Sequence, residues 1–206
     1  MFYRIGNLAI RSPLSIRRPR RGEECLVIKT SGSFPPAHPS TKAALTVLKR
    51  LKIKKEAKIL DIGCGSGILG LTAVFNNNAM AIGCDVNPAS IRASMENALF
   101  NQLQNRFHLF CGSANAVSEH FDLILANLPA SVHMQMFHHY RRLILMNHGL
   151  LVVSGFYDVQ EAYVEKELAR KGFDVLERVE VNASAPALTS ECSCTWVSLG
   201  LKNRDL

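Results

Sequence analysis

No apolar run in this chain of 206 residues approaches the roughly 18 to 20 needed to span a bilayer, so no membrane crossing is expected. Nor does the start read as a secretory signal, since Arg4 and Arg11 interrupt any apolar segment there. Internal repeats and low-complexity segments are absent, which excludes a solenoid. Acids are missing from positions 1–22, which hold six arginines (Arg4, Arg11, Arg17, Arg18, Arg20 and Arg21), while the rest of the chain is nearly neutral. Cysteine is not scarce but lacks a ligand pattern. The one close pair, Cys192-Ser193-Cys194, has no second pair to complete a zinc site, so no metal is expected. The six cysteines read as free structural thiols in a reducing compartment, with the cytoplasm as the default setting.

These absences leave an ordinary globular chain, 48% hydrophobic and 20% charged, long enough to bury one substantial core. The arginine-rich start and a second cluster, Lys49-Arg50-Leu51-Lys52-Ile53-Lys54-Lys55, suit either RNA phosphates or a solvated basic surface. Such a start also resembles an organelle transit segment, but Tyr3 to Ile10 reads better as two short strands around Gly6-Asn7. The expected division is a basic lead-in over 1–30, hairpin or irregular, followed by one domain over 31–206.

Cys25 to Ile28 reads as a strand, and the prolines and glycine between Ser31 and Pro39 exclude a helix there. Apolar residues at Ala44, Leu45, Leu48 and Leu51 predict a helix over 40–51. From Lys58 onward short apolar strands alternate with helices. The predicted strands are 59–62, 79–84, 107–111, 121–126 and 150–154. The predicted helices are 68–75, 88–100, 133–146 and 159–170, and two strands at 175–181 and 195–201 close the chain. Apolar strands separated by helices mean a parallel sheet covered on both faces. The expected fold class is α/β, a doubly wound Rossmann-like sheet, mostly parallel with an antiparallel C-terminal edge. Its ligand crevice lies at the strand C-termini.

Asp61-Ile62-Gly63-Cys64-Gly65-Ser66-Gly67 follows the first of those strands and precedes a helix, the setting of a nucleotide loop. Two cofactor classes compete for it. Gly65 to Gly70 matches the dinucleotide fingerprint, with Asp85 at the right distance, as in an NAD-dependent oxidoreductase. Asp61 opposes that reading, because a buried carboxylate needs a partner and would repel a pyrophosphate. A sulfonium cofactor with an ammonium group, S-adenosyl-L-methionine, welcomes it. Asp85, ending the second strand, can accept both ribose hydroxyls in either case. Asn127, in Ala126-Asn127-Leu128-Pro129-Ala130, sets an amide and carbonyls at the crevice mouth, where they can orient an attacking amine. That favours a methyltransferase.

With these residues in place, the chain resembles the ribosomal protein L11 methyltransferases, within the small-domain group of class I methyltransferases. The resemblance is carried by His38-Pro39-Ser40-Thr41, the loop from Asp61 to Leu69, Ile82 to Pro88, Leu125 to Leu128 and Gly149 to Gly155. It implies cofactor contact at Thr41, Gly63, Asp85 and Asn127, with Gly65 and Gly67 under the methionine part and Ser113 and Ala114 beside the adenine. The family's long N-terminal substrate-recruiting domain has no counterpart in residues 1–30. Phe34-Pro35-Pro36-Ala37 replaces a Gly-rich segment, and no aromatic follows Asn127 to stack on a planar substrate.

The expected reaction moves a methyl group to a nitrogen. A protein acceptor, ribosomal by resemblance, stands beside an RNA base, and a non-catalytic partner subunit is the reading from another class. Asn127 and the Leu128 carbonyl are the expected orienting acceptors. His38 is the first choice of base, with Phe34 lining the substrate pocket. His133, His138 and His139 are further candidate bases, against the plainer expectation that they are polar residues on the exposed side of their helix.

Overall fold

The computed structural model describes residues 1–30, 34–146, 148–182 and 195–204. Cys192-Ser193-Cys194 and Ser31-Gly32-Ser33 lie outside the described residues. Phe2–Ile5 (β1) and Leu8–Arg11 (β2) pair as the hairpin the Gly6-Asn7 turn predicts, and Glu24–Val27 (β3) joins β2 in parallel. The helix Pro39–Arg50 (α1) follows, with Pro39 in its first turn and His38 as its cap. The strands Lys58–Ile62 (β4), Met80–Asp85 (β5) and Phe107–Cys111 (β6) then alternate with the helices Ile68–Asn77 (α2) and Pro88–Phe100 (α3). Leu123–Asn127 (β7), Ala130–Leu143 (α4), Leu150–Tyr157 (β8), Asp158–Arg170 (α5), Phe173–Asn182 (β9) and Thr195–Asn203 (β10) complete the chain.

The main sheet runs β6-β5-β4-β7-β8-β10-β9, parallel except for β10, which is antiparallel to both neighbours. Alternation along the inner strands β4, β7 and β8 explains their mostly apolar character, because successive residues enter different cores. Ile59, Ala81, Leu123 and Val152 pack against α1, α2 and α3, whereas Leu60, Ile124, Leu151 and Val153 pack against α4 and α5. The β1–β3 sheet lies on the first of these layers through Leu8, Ile10 and Leu26. Asn101 bonds both backbone groups of Val27, and Asn97 bonds both of Lys29.

Several boundaries differ from expectation, and three of them have a visible cause. Strand β7 begins at Leu123, because Asp122 turns its carboxylate to the Lys58 amide and the Lys54 ammonium. Helix α4 runs 130–143, since Ile144 leaves it to bridge Phe121. Strand β8 continues to Tyr157, where pairing with Trp196 of β10 holds it. The strand tips Ile62, Asp85 and Asn127 end at one edge, and the crevice opens there.

Candidate active site

The backbone of the loop after β4 is held by neighbouring backbone and by three side chains. Gly63 and Cys64 amides donate to the Cys84 carbonyl at 2.8 and 3.0 Å, and the Gly65 amide donates to Asp85 Oδ2 at 3.0 Å. From beneath, two buried polar residues of α3 fasten it: Ser94 donates to the Gly65 carbonyl and Asn97 to the Ser66 carbonyl, each at 2.9 Å. Sequence reading predicted a helix over 88–100 and singled out neither residue. The signal was two polar residues three apart on its apolar inward face. The second oxygen of Asp85 accepts from the Asn87 amide at 2.9 Å, so the carboxylate is fixed at the β5 tip.

Two cavities meet at this loop. The larger, about 430 Å³, is lined by Gly63, Gly65, Asp85, Ser113, Ala114, Asn127 and Leu128, and its far wall by Met136, Gly155 and Trp196. The smaller, about 40 Å³, reaches Thr41 and Asp61 and shares Phe34, Gly63, Gly65 and Asn127 with the first. Gly67 lines neither. It caps α2 and packs against Phe107 and Ser94. Asp61 is 1% exposed and accepts from the Gly70 amide at 2.9 Å. Burial pushes its pKa up to about 7, the Gly70 amide pulling the other way. Asp61 and Asp85 are the charged residues on the described walls, and no lysine, arginine or histidine joins them.

Asn127 stands between the cavities. Its Nδ2 donates to Thr41 Oγ1 at 3.2 Å, while Oδ1 is buried without a partner. Such an atom is costly unless a ligand donor meets it. The segment behind is clamped. Gly155, at φ +97°, has space for no Cβ, which would fall 2.4 Å from the Leu128 carbonyl oxygen, and a Cβ on Gly63 would fall 2.5 Å from the Leu128 side chain. The Leu128 amide donates to the Ser154 carbonyl at 2.9 Å.

The same carbonyl accepts from His133 Nε2 at 2.8 Å, and His133 Nδ1 takes the Tyr140 hydroxyl at 2.8 Å. His133 is wholly buried, so the expectation that it lies on the exposed side of α4 is corrected. Burial drives its pKa down to about 4, which keeps the ring neutral. It acts on the site through the Ser154 carbonyl and the backbone of Leu128. His138 is exposed as expected, and His139 partly so.

His38 lines neither cavity. Its Nδ1 accepts from the Ser40 amide at 3.3 Å and meets Ser40 Oγ at 2.9 Å. That uses the lone pair a base would need and puts the ring proton on Nε2. The ring stands between Phe34 and Trp196, at 4.6 Å from each centroid. Phe34 does line the pocket, as expected. Although no aromatic follows Asn127, β10 brings Trp196 to the crevice, stacked on Tyr157 at 4.2 Å. Sequence reading missed it, and its one signal was being the single tryptophan.

A crevice at the carboxyl ends of a mostly parallel sheet, with carboxylates beside a glycine loop and no base on its walls, belongs to the class I S-adenosylmethionine-dependent methyltransferase fold. A profile of the ribosomal protein L11 methyltransferase (PrmA) family matches residues 35–184. A ribosomal protein L11 methyltransferase of Helicobacter acinonychis is 32% identical over 147 residues, 70% of this chain and 43% of that protein. One from Caulobacter is 27% identical over 165 residues, 78% of this chain and 57% of the relative. Among solved structures, the ribosomal protein L11 methylase of Lactobacillus delbrueckii superposes with a TM-score of 0.81 at 24% identity, covering 96% of this chain and 95% of that one. The tRNA methyltransferase TrmK of B. subtilis reaches 0.61 at 15% identity over 80% and 66% of the two chains, a likeness of fold. The chain therefore belongs to the ribosomal protein L11 methyltransferase family. It spans about half the length of the curated relatives it matches.

Proposed function

We propose that this chain transfers the methyl group of S-adenosylmethionine to a nitrogen of a protein acceptor, a ribosomal protein by kinship, with residues 31–206 as the catalytic domain and 1–30 as a basic lead-in. The observation that carries this is a crevice whose charged residues are both carboxylates, with the unpaired Asn127 Oδ1 between its two compartments. A dinucleotide pyrophosphate would meet repulsion there, while a sulfonium and an ammonium would meet attraction.

The walls fit the cofactor part by part. Asp85 accepts the ribose hydroxyls, and Ser113 and Ala114 flank the adenine. Gly63 and Gly65 leave the backbone bare beneath the methionine part, with no neighbour nearer than 3.9 Å to a Cβ at Gly65. Thr41 and Asp61 lie toward the ammonium end, and Gly67 supports the loop from the helix side.

When bound, the cofactor supplies a methyl group already activated on a positive sulfur, so the chain contributes position and exclusion of water. Asn127 Oδ1 and the Leu128 carbonyl accept hydrogen bonds from the incoming nitrogen and aim its lone pair. A lysine ammonium, with an ordinary pKa of about 10.4, loses its proton before attack, favoured by desolvation. In place of the expected base, His38 steadies Phe34 and Trp196 at the acceptor side.

Incubation with radiolabelled S-adenosylmethionine and a ribosomal extract, with and without ribonuclease, tests the reading. Label in ribonuclease-resistant protein is expected. Label in RNA overturns the acceptor class, and uptake of NADH with no S-adenosylmethionine bound overturns the cofactor.

A further inference from the structure

Helices that follow parallel strands run back, so the C-terminal ends of α2 and α3 lie at the pole of the sheet opposite the crevice. The arginine-rich segment folds over those ends. Between them opens a groove of about 500 Å³, lined by Arg11, Arg18 and Pro19 of the segment, Phe75 at the end of α2, and Phe100 and Gln102 at the end of α3. No carboxylate lines it.

Three features there lack an internal explanation. Arg11 Nε is shielded from solvent yet has no partner, the guanidinium reaching only the Pro13 carbonyl at 3.5 Å. Phe100 stands 51% exposed in the groove. Arg17, Arg18 and Arg21 are exposed and make no ion pair among the described residues, because Glu23 is held by Arg4 and the Arg20 amide. The negative ends of α2 and α3 account for one cation nearby. They do not account for Arg11 and Arg18 on the wall of an open aromatic groove, with Arg17 and Arg21 close by in the chain.

We propose that this groove docks single-stranded RNA, with an unpaired base on Phe100, the adjoining phosphates on Arg11 and Arg18 of its wall, and the next phosphates on the exposed Arg17 and Arg21 outside it. Guanidinium groups around a half-exposed ring match a nucleotide in both parts, since phosphate takes bidentate bonds and any base offers a π-face. The concave shape favours RNA over a lipid surface, which would need apolar side chains grouped on a convex face. Leu14 and Ile16, both more than nine-tenths exposed, are the residues a membrane would use, and they serve as the control. The proposal does not depend on the chemistry of the crevice. RNA held at this pole is a docking partner, while the methyl acceptor enters at the other.

Fluorescence anisotropy of the full chain with a short labelled single-stranded RNA tests it. Affinity is expected to fall with salt at a slope of about −3 in log K against log salt, from about −0.7 per phosphate contact over four contacts. The triple variant Arg17→Glu/Arg18→Glu/Arg21→Glu is expected to bind at least about a hundredfold more weakly, and Phe100→Ala about tenfold, in the range of one lost stack. Both variants alter exposed side chains, and unchanged thermal melting checks the fold. RNA binding that survives the charge reversal, or is indifferent to Phe100, overturns the proposal. So do phosphatidylglycerol vesicles that displace the RNA and are themselves lost on Leu14→Asp/Ile16→Asp.

Discussion

The two poles of the main sheet treat polar groups in opposite ways. At the crevice almost every polar atom is committed: the loop amides to Cys84 and Asp85, its carbonyls to Ser94 and Asn97, and the Leu128 amide to Ser154. One buried oxygen, Asn127 Oδ1, is left without a partner. At the far pole whole guanidinium groups are left over. The one hydrogen bond described from the β1 hairpin toward the crevice is that of the Tyr3 hydroxyl to the Pro36 carbonyl at 2.6 Å. A pinned acidic crevice suits a small cationic ligand that must be oriented closely. Loose cations beside a half-exposed ring suit a partner gripped by charge and stacking. If this division is right, substitutions at the crevice should change rate and pH dependence, and those at the arginine segment neither.

The largest effect is expected at the uncommitted oxygen. Asn127→Ala should lower kcat by about a hundredfold, the scale for one positioned polar group, while cofactor affinity by calorimetry changes little. An unchanged rate would remove Asn127 from the chemistry. Gly155→Ala comes next, because its Cβ would displace the Leu128 carbonyl and its φ is positive. The expected loss of unfolding free energy is about 2–4 kcal/mol, read from denaturant melts. A melt matching the parent would mean that the segment after β7 is not clamped.

Asp61 predicts a proton effect. Its folded pKa is raised to about 7, so its contribution to the stability of the unliganded fold is full below the ordinary carboxylate range and is lost as pH climbs through 7. A cationic ligand favours the ionised form. S-adenosylmethionine should bind more tightly as pH rises through 7, releasing close to one proton at pH 6 in calorimetry with buffers of different ionisation enthalpy. Asp61→Asn should abolish the release. The smallest effect is expected at Tyr140→Phe, which removes the hydroxyl on His133 Nδ1 and should cost about 1 kcal/mol of stability. If the His133 chain positions Leu128, kcat should fall severalfold with KM unchanged. A purely structural bond would leave both constants alone.

The order of strands and helices was legible because the inner strands are mostly apolar and helices carry their own starts, as Pro39 and Pro88 do for α1 and α3. The glycine loop and the acid at the β5 tip were legible too, since chain-local spacing brings them together: Gly65 and Asp85 lie 20 residues apart. The boundary of α4 was not, because a bridge to Phe121 sets it from outside the helix. His133 looked like a surface residue for a related reason. Its partner Tyr140 lies seven residues on, on the same buried face of α4 as Met136 and Phe137, so the spacing itself carried that part of the signal, whereas the bond to Ser154 of a separate strand left none in the sequence.

From the sequence alone came the doubly wound class, the carboxylates and glycines of the crevice, and the excess of arginine at one end. Tertiary structure decided which side chains are spent and which are free. Thr41 meets Asn127 across 86 residues, Trp196 reaches the crevice on an antiparallel strand, and His38 gives its lone pair to a helix cap. Local propensity acts over a few residues, whereas a hydrogen bond forms between whatever groups the fold brings close and aligned in space. Whether a polar atom is satisfied or waiting for a ligand is therefore known only once the chain has closed around it.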